Sequence, residues 1–349
     1  MKGRIAIIDD HPSGTGKVAA LLVDGRLEDL VIDDPNPKRT QPEQIYRARL
    51  DRPLKGMGGA IVQLGNGQTG FLKEAKGRRP GTSLLVQVST HAEPGKAAPV
   101  TPRLLFKSRY AIVTPHAPGL NIARRIRDEE ERERLDIIAR AAMESAESGL
   151  ILRSACAGAD PDEIAEDIAE MLELSRRIAG EAEGAPERLL DVPDALTRAW
   201  RDWSDPDPDE VDRSQGSFDT HGVWDHIDAL RSARVSLGGG AHMTIEPTTA
   251  FVAVDVNTGG DMSQAAGLKA NLAAVRALPR QLRLRGLGGQ IVADLAPMPK
   301  GERRGLESSL RAALKADTVE TTFIGWTPLG HAELTRKRER IPLREVLPA

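Results

Sequence analysis

Aromatic side chains make up only 3% of the 349 residues, and there is a single cysteine. Cores must therefore rest on Leu, Ile, Val and Ala, and any stacking surface depends on very few rings. The lone Cys156 excludes an intrachain disulfide and any multi-cysteine metal site. No apolar run approaches the roughly 20 residues that cross a bilayer. The N-terminal "MKGRIAIIDD" also lacks the longer apolar stretch and small-residue cleavage site of a signal peptide. A cytoplasmic protein without a membrane partner is expected. "HPSGTGK" at 11–17 departs from the Gly-x-x-x-x-Gly-Lys-Ser/Thr spacing of a phosphate loop, so a hairpin turn is expected there.

What is present is length and unevenly spread charge. A chain this long predicts two or three domains. The net charge of −3 conceals an asymmetry: 160–228 holds 21 acidic and 6 basic residues, and 269–349 holds 15 basic and 8 acidic. The second segment is a candidate polyanion surface, the first a solvated or linking region. Short strand patterns broken by Gly and Pro over 37–105 predict a small barrel, a form that often binds single-stranded nucleic acid. There Phe71 reads either as barrel core or as a stacking ring, and Lys96 as a phosphate contact. Helical spacing covers 127–148 and 160–178, the latter opened by Asp160 and Pro161. A loop is expected over 180–220 and strands over 224–257. A helix broken at Pro279 follows over 263–289, then a helix over 300–318 and a short basic helix over 330–341. The order of elements is α/β.

The chemistry lies in two strands. "FVAVDVNTGGD" sets Asp255 inside an apolar alternation, and "QIVADLAPM" does the same with Asp294, 39 residues later. A strand, a helix and a strand fill that interval, so both strands can share one sheet and bring the carboxylates to a common edge. A buried carboxylate is costly unless paired, and two facing carboxylates repel. A hard divalent cation relieves both problems, and Mg²⁺ is commonly held by one or two carboxylates plus phosphate oxygens. Asn257 is close enough to orient a carboxylate. Arg280, Arg283 and Arg285 read either as solvated helix faces or as groups neutralising a phosphate backbone.

Together "FVAVDVNTGGDMS", "PRQLRLRGLGGQIVADL" and "GHAELTRKR" resemble the catalytic half of the ribonuclease E/G family. "NIARRI" at 121–126 and "GLILRSA" at 149–155 resemble its sensor region, and "TGFL" and "PGKAAPVT" its RNA-binding barrel. The resemblance implies an α/β multidomain fold. An RNase H-like element (1–36 and a shortened, acidic 160–230) is split by an OB-type barrel (37–105) and a 5′-end sensor region (106–159). A DNase I-like catalytic subdomain (231–349) follows. It implies metal-binding, catalytic roles for Asp255 and Asp294 beside Asn257. It also implies RNA contacts at Phe71, Lys96, Arg336, Lys337 and Arg338, and 5′-phosphate sensing by Arg153 and Ser154. The implied cofactor is Mg²⁺, with Mn²⁺ as a substitute, and the implied products are a 3′-hydroxyl and a 5′-phosphate.

Departures from the family pattern shape the expectations. Ile61 stands where a second barrel aromatic is usual, and Pro297 where an acidic residue is usual. The two-cysteine zinc-sharing motif does not occur, so zinc-linked assembly is not expected, while a homodimer remains allowed. The main expectation is an endoribonuclease acting on single-stranded RNA, with preference for 5′-monophosphate ends. The alternative is a catalytically weak or inactive RNA-binding protein on the same scaffold. A third is a metal-dependent enzyme acting on DNA or a small phosphate ester, which would leave the barrel unexplained.

Overall fold

The computed structural model describes residues 2–347 other than 55, 57, 74, 144–147, 262 and 264. Its contacts group Met1–Gly3, Ile7–Pro35 and Asp212–Ala349 in one unit, and Arg4–Ala6 and Asn36–Val211 in another. Apolar alternation builds the first strands, β1 (Arg4–Asp10), β2 (Lys17–Val23) and β3 (Arg26–Ile32). "HPSGTGK" is the turn between β1 and β2, as expected.

The barrel is present. β4 (Ile45–Leu54), β5 (Gly59–Gly65), β6 (Gln68–Leu72), β7 (Ser83–Val88) and β8 (Ala98–Thr101) run in the order β4-β5-β6-β8-β7, and β7 pairs back onto β4. Alternate residues Tyr46, Ala48, Leu50, Val62, Leu64, Leu72 and Val86 fill its interior. The protein is thus a mixed α/β chain containing a closed five-stranded barrel, consistent with the expected OB-type element.

In the same unit, β9 (Phe106–Lys107), β10 (Ala111–Thr114), β11 (Gly119–Ile122) and β12 (Gly149–Leu152) form a sheet ordered β11-β12-β10-β9. Helices α1 (Glu129–Ala142) and α2 (Pro161–Gly180) cover it through Leu135, Ile164 and Ile168. Asp160 caps α2 by accepting the N–H groups of Asp162 and Glu163, with Pro161 in the first turn. The 180–220 segment is not the expected loop. It contains β13 (Glu187–Leu190), α3 (Ala195–Asp202), β14 (Glu210–Asp212) and α4 (Ser217–Thr220). Elements this short carry too few periods to stand out from Pro, Gly and Asp.

The strands expected from 224 begin with a helix instead, α5 (Val223–Arg231), which buries Val223, Ile227 and Leu230. A six-stranded sheet follows: β15 (Arg234–Gly238), β16 (Ala241–Pro247), β17 (Val252–Asn257), β18 (Gly289–Asp294), β19 (Thr321–Trp326) and β20 (Ala332–Arg336), ordered β15-β16-β17-β18-β20-β19. One face is covered by α6 (Ala266–Leu284) and α7 (Arg303–Ala316). Pro279 does not break α6, because its face of Ala270, Ala274, Val275, Leu278 and Leu282 is buried and outweighs one lost backbone bond. The chain turns at Gly286 (φ 65°), where a Cβ would meet the Ile341 carbonyl oxygen at 1.9 Å. The basic helix expected over 330–341 is instead β20. There Ala332, Leu334 and Arg336 are buried while Glu333 and Thr335 are not, a period of two that the basic run disguises. A last turn, α8 (Leu343–Val346), closes the unit.

Candidate active site

β17 and β18 run parallel, and their register pairs Asp255 with Asp294. Both carboxylates therefore sit at the carboxyl ends of adjacent parallel strands, where open α/β sheets bind ligands. The period of two sorts β17 cleanly. Val252, Val254 and Val256 enter the core, while Ala253, Asp255 and Asn257 occupy the opposite face. Asp255 is consequently exposed, and so is Asp294, whose side chain keeps 64% of its surface. This corrects the expectation of a buried carboxylate: the face is solvated, and repulsion between two neighbouring acids is the remaining cost.

Register alone extends the row. Arg234 pairs with Thr244 and Thr244 with Asp255, so Arg234, Thr244, Asp255 and Asp294 cross the open face in line. Asn257 donates from Nδ2 to Asp255 Oδ2 at 2.5 Å. At the far end His331, in the loop before β20, places Nδ1 3.2 Å from Asp294 Oδ1. Arg303 lies over the Trp326 ring at 5.2 Å, and a Cβ on Gly330 would meet its Nη2 at 2.9 Å, which puts this guanidinium beside His331's neighbour.

The segment after Asp294 is held from below. Asn271, fully buried on α6, donates to the Ala296 carbonyl and accepts the Ala296 N–H, both at 2.9 Å. Gly267 permits close approach of α6, since a Cβ there would lie 1.9 Å from the Pro297 carbonyl oxygen.

The donor set suits a hard cation: two exposed carboxylate side chains, in register, with solvent on their open side. Among the described residues no group of three His, Cys, Asp or Glu is placed to hold a metal ion.

The basic residues divide. Arg283 is buried and pairs with Glu28 at 2.8 Å, with Asp29 at 3.2 Å and with Asp317. Arg340 binds Asp29 at 2.6 and 3.0 Å. Arg285 donates to the Ser232 carbonyl, and Arg280 to that of Leu27. Rather than lining a solvated helix face, Arg280 and Arg283 tie α6 to β3, Arg285 ties the end of α6 to the residue after α5, and Arg340 ties the chain after β20 to β3. Arg336 belongs with them: 3% exposed, it pairs with Asp317 at 2.7 Å and donates to Thr321 Oγ1, which removes it from any RNA-facing surface. Lys337 is exposed and pairs with Glu320 at 2.5 Å. Arg338 is half-buried, and its guanidinium fills the space a Cβ on Gly289 would take.

In the other unit, Phe71 lies outside the barrel interior. It faces Ile61 across β5 and β6, and its ring covers Gly59, whose added Cβ would meet the ring at 2.6 Å. Lys96 is exposed between β7 and β8 and ion-paired with Glu93. Arg153 and Ser154 follow β12. Arg153 pairs with Asp202 at 2.9 Å and donates to the Ser108 and Arg201 carbonyls. Cys156 is fully buried, and burial pushes its thiol up to about 12, so it is an inert core group.

Comparison with known proteins decides the affiliation. The model of the ribonuclease E/G family matches residues 106–214 and 209–339. The chain belongs to the ribonuclease E/G family. It is 28% identical over 401 aligned positions to ribonuclease G of Salmonella typhimurium, covering 98% of this chain and 81% of that protein. Ribonuclease G of Haemophilus influenzae is 28% identical, with 94% and 78% covered. Ribonuclease E of a Nostoc species is 28% identical, with 97% of this chain and 56% of that protein covered. Within this ribonuclease E/G chain, His331 and Asn271 were not foreseen as site residues. The signal for His331 was its antiparallel position: β18 pairs Ala293 with Ala332, which sets the next residues, Asp294 and His331, opposite each other. Nothing in the sequence marks Asn271, whose partner Ala296 is a backbone group 25 residues away.

Proposed function

We propose that the chain is a Mg²⁺-dependent endoribonuclease that cleaves single-stranded RNA, favours 5′-monophosphate ends and acts in RNA processing or decay in the cytoplasm. The observation that carries the proposal is the in-register pair Asp255 and Asp294 on the open face of parallel strands. Asp255 and Asp294 would hold the cation, which when bound would activate water and offset charge on the phosphodiester. Asn257 fixes the rotamer of Asp255, and His331 that of Asp294. The peptide of Ala296, clamped by Asn271, limits movement of the Asp294 backbone. Water attacks phosphorus, the P–O3′ bond breaks, and the products are a 3′-hydroxyl and a 5′-phosphate.

The outward Phe71 ring supports single-strand binding by stacking. Arg153 and Ser154 supply a guanidinium and a hydroxyl for a 5′-phosphate. In domain terms, we assign 1–36 and 160–230 to an RNase H-like element, 106–159 to a sensor region and 231–349 to a DNase I-like subdomain. The test is Asp294→Asn in the full chain with Mg²⁺ and an unstructured RNA. The rate is expected to fall by at least about 100-fold, the scale of removing one preorganised electrostatic group. Cleavage at the wild-type rate would refute the assignment.

A further inference from the structure

The segment "RDWSDPDPDE", 201–210, sets aspartates alternately with prolines. Its carboxylates meet the cations around Ser154. Asp205 lies beside the Ser154 hydroxyl and binds Arg125 at 3.0 Å, and these two neighbours hold its carboxyl below the usual range. Asp207 takes Arg109 through both oxygens, at 2.6 and 2.9 Å. Asp202 takes Arg153 at 2.9 Å and is shared with the buried Arg201. Asp209 accepts the Arg4 N–H at 2.7 Å and donates its own N–H to the Arg4 carbonyl, which anchors the strap's far end. Beside these pairs lies a cavity of about 480 Å³ lined by Arg109, Ser154, Gly158, Asp205 and Asp207.

Three guanidiniums, Arg109, Arg125 and Arg153, thus face three carboxylates, Asp202, Asp205 and Asp207. A phosphomonoester entering this cradle finds every cation matched. It gains little Coulomb energy unless a carboxylate withdraws, because the attraction of each arginine is already spent. Asp202 is tied to Arg201 and cannot leave cheaply. Asp205 and Asp207 can be displaced: their side chains are 37% and 59% exposed and regain water on leaving, while Arg109, 11% exposed, takes an incoming anion in place of Asp207.

We propose that the Asp-Pro strap is an internal competitor for the 5′-phosphate cradle, so that Asp205 and Asp207 set how strongly this chain discriminates a 5′-monophosphate from a 5′-hydroxyl. The proposal rests on the assignment of Arg153 and Ser154 to 5′-phosphate sensing. Removing the two charges frees Arg109 and Arg125 for phosphate and raises discrimination. The strap is therefore a specificity device that acts through positioned arginines.

The test uses the full chain and one short single-stranded RNA carrying either a 5′-monophosphate or a 5′-hydroxyl. Binding is measured by fluorescence anisotropy in chelator, so that cleavage does not intervene. Asp205→Asn/Asp207→Asn is expected to bind the monophosphate form roughly tenfold more tightly than wild type, the scale of one freed charge-assisted contact. The hydroxyl form should bind as before. Asp207→Asn alone, at the more exposed position, should show a smaller gain in the same direction if the double variant proves unstable. Equal monophosphate selectivity in wild type and variants, with selectivity above one, overturns the strap and leaves the sensing assignment standing. No selectivity in any protein, including the Arg153→Gln control, overturns both.

Discussion

Two charged regions of the unit that carries the six-stranded sheet contrast sharply. On the open face of the six-stranded sheet, Asp255 and Asp294 are exposed, and among the described residues Asn257 contacts the first and His331 the second. Across β3, α6, the end of α7 and β20, the side chains of Asp29, Arg283, Asp317 and Arg336 are buried and multiply paired. The first arrangement leaves two carboxylates open to solvent. The second spends its charge internally, and removing one partner there leaves another charge buried without compensation. Charge in the sequence therefore does not distinguish function from scaffold; side-chain direction and burial do.

The contrast can be broken from either side. Asp29→Ala should cost about 3 kcal/mol of stability, because Arg283 and Arg340 lose a buried partner. Denaturant unfolding checks this, and the folded fraction should cleave RNA at the wild-type rate. A stable but inactive Asp29→Ala would place this cluster in the chemistry. Asn271→Ala lies between the two regions. It leaves the Ala296 N–H and carbonyl unpaired in a buried place, which costs about 1–3 kcal/mol. It should also slow cleavage, seen by comparing unfolding curves with single-turnover rates. His331→Ala should change stability least and lower the cleavage rate roughly tenfold, as loss of a carboxylate's orienting partner does. A melting shift without a rate change would make His331 a structural residue.

Much of the site was legible because β17 is a half-buried strand. Alternation over Val252–Asn257 marked the strand, and the repeat of the pattern at Ile291–Asp294 marked its neighbour. The barrel was legible from short strands punctuated by glycine and proline. Burial was not. Asp255 looked embedded in apolar sequence, yet its face is open, because alternation says that two faces differ without saying which one is covered. The arginines of "PRQLRLR" resisted interpretation for another reason: Glu28 and Asp29 lie more than 250 residues away in sequence, and no local period reports such pairs. β20 reads as a helix in the sequence because Arg336, Lys337, Arg338 and Arg340 suggest a solvated face, whereas Arg336 points inward to Asp317.

The central claim is that Asp255 and Asp294 act on one cation. The most direct measurement is a double-mutant cycle on RNA cleavage across a Mg²⁺ titration, using Asp255→Asn, Asp294→Asn and the double variant. If the two carboxylates work as a unit, the double variant is no slower than the slower single variant, since the second substitution removes nothing that the first left intact. Losses that multiply, or single variants that cleave at the wild-type rate, would contradict the account.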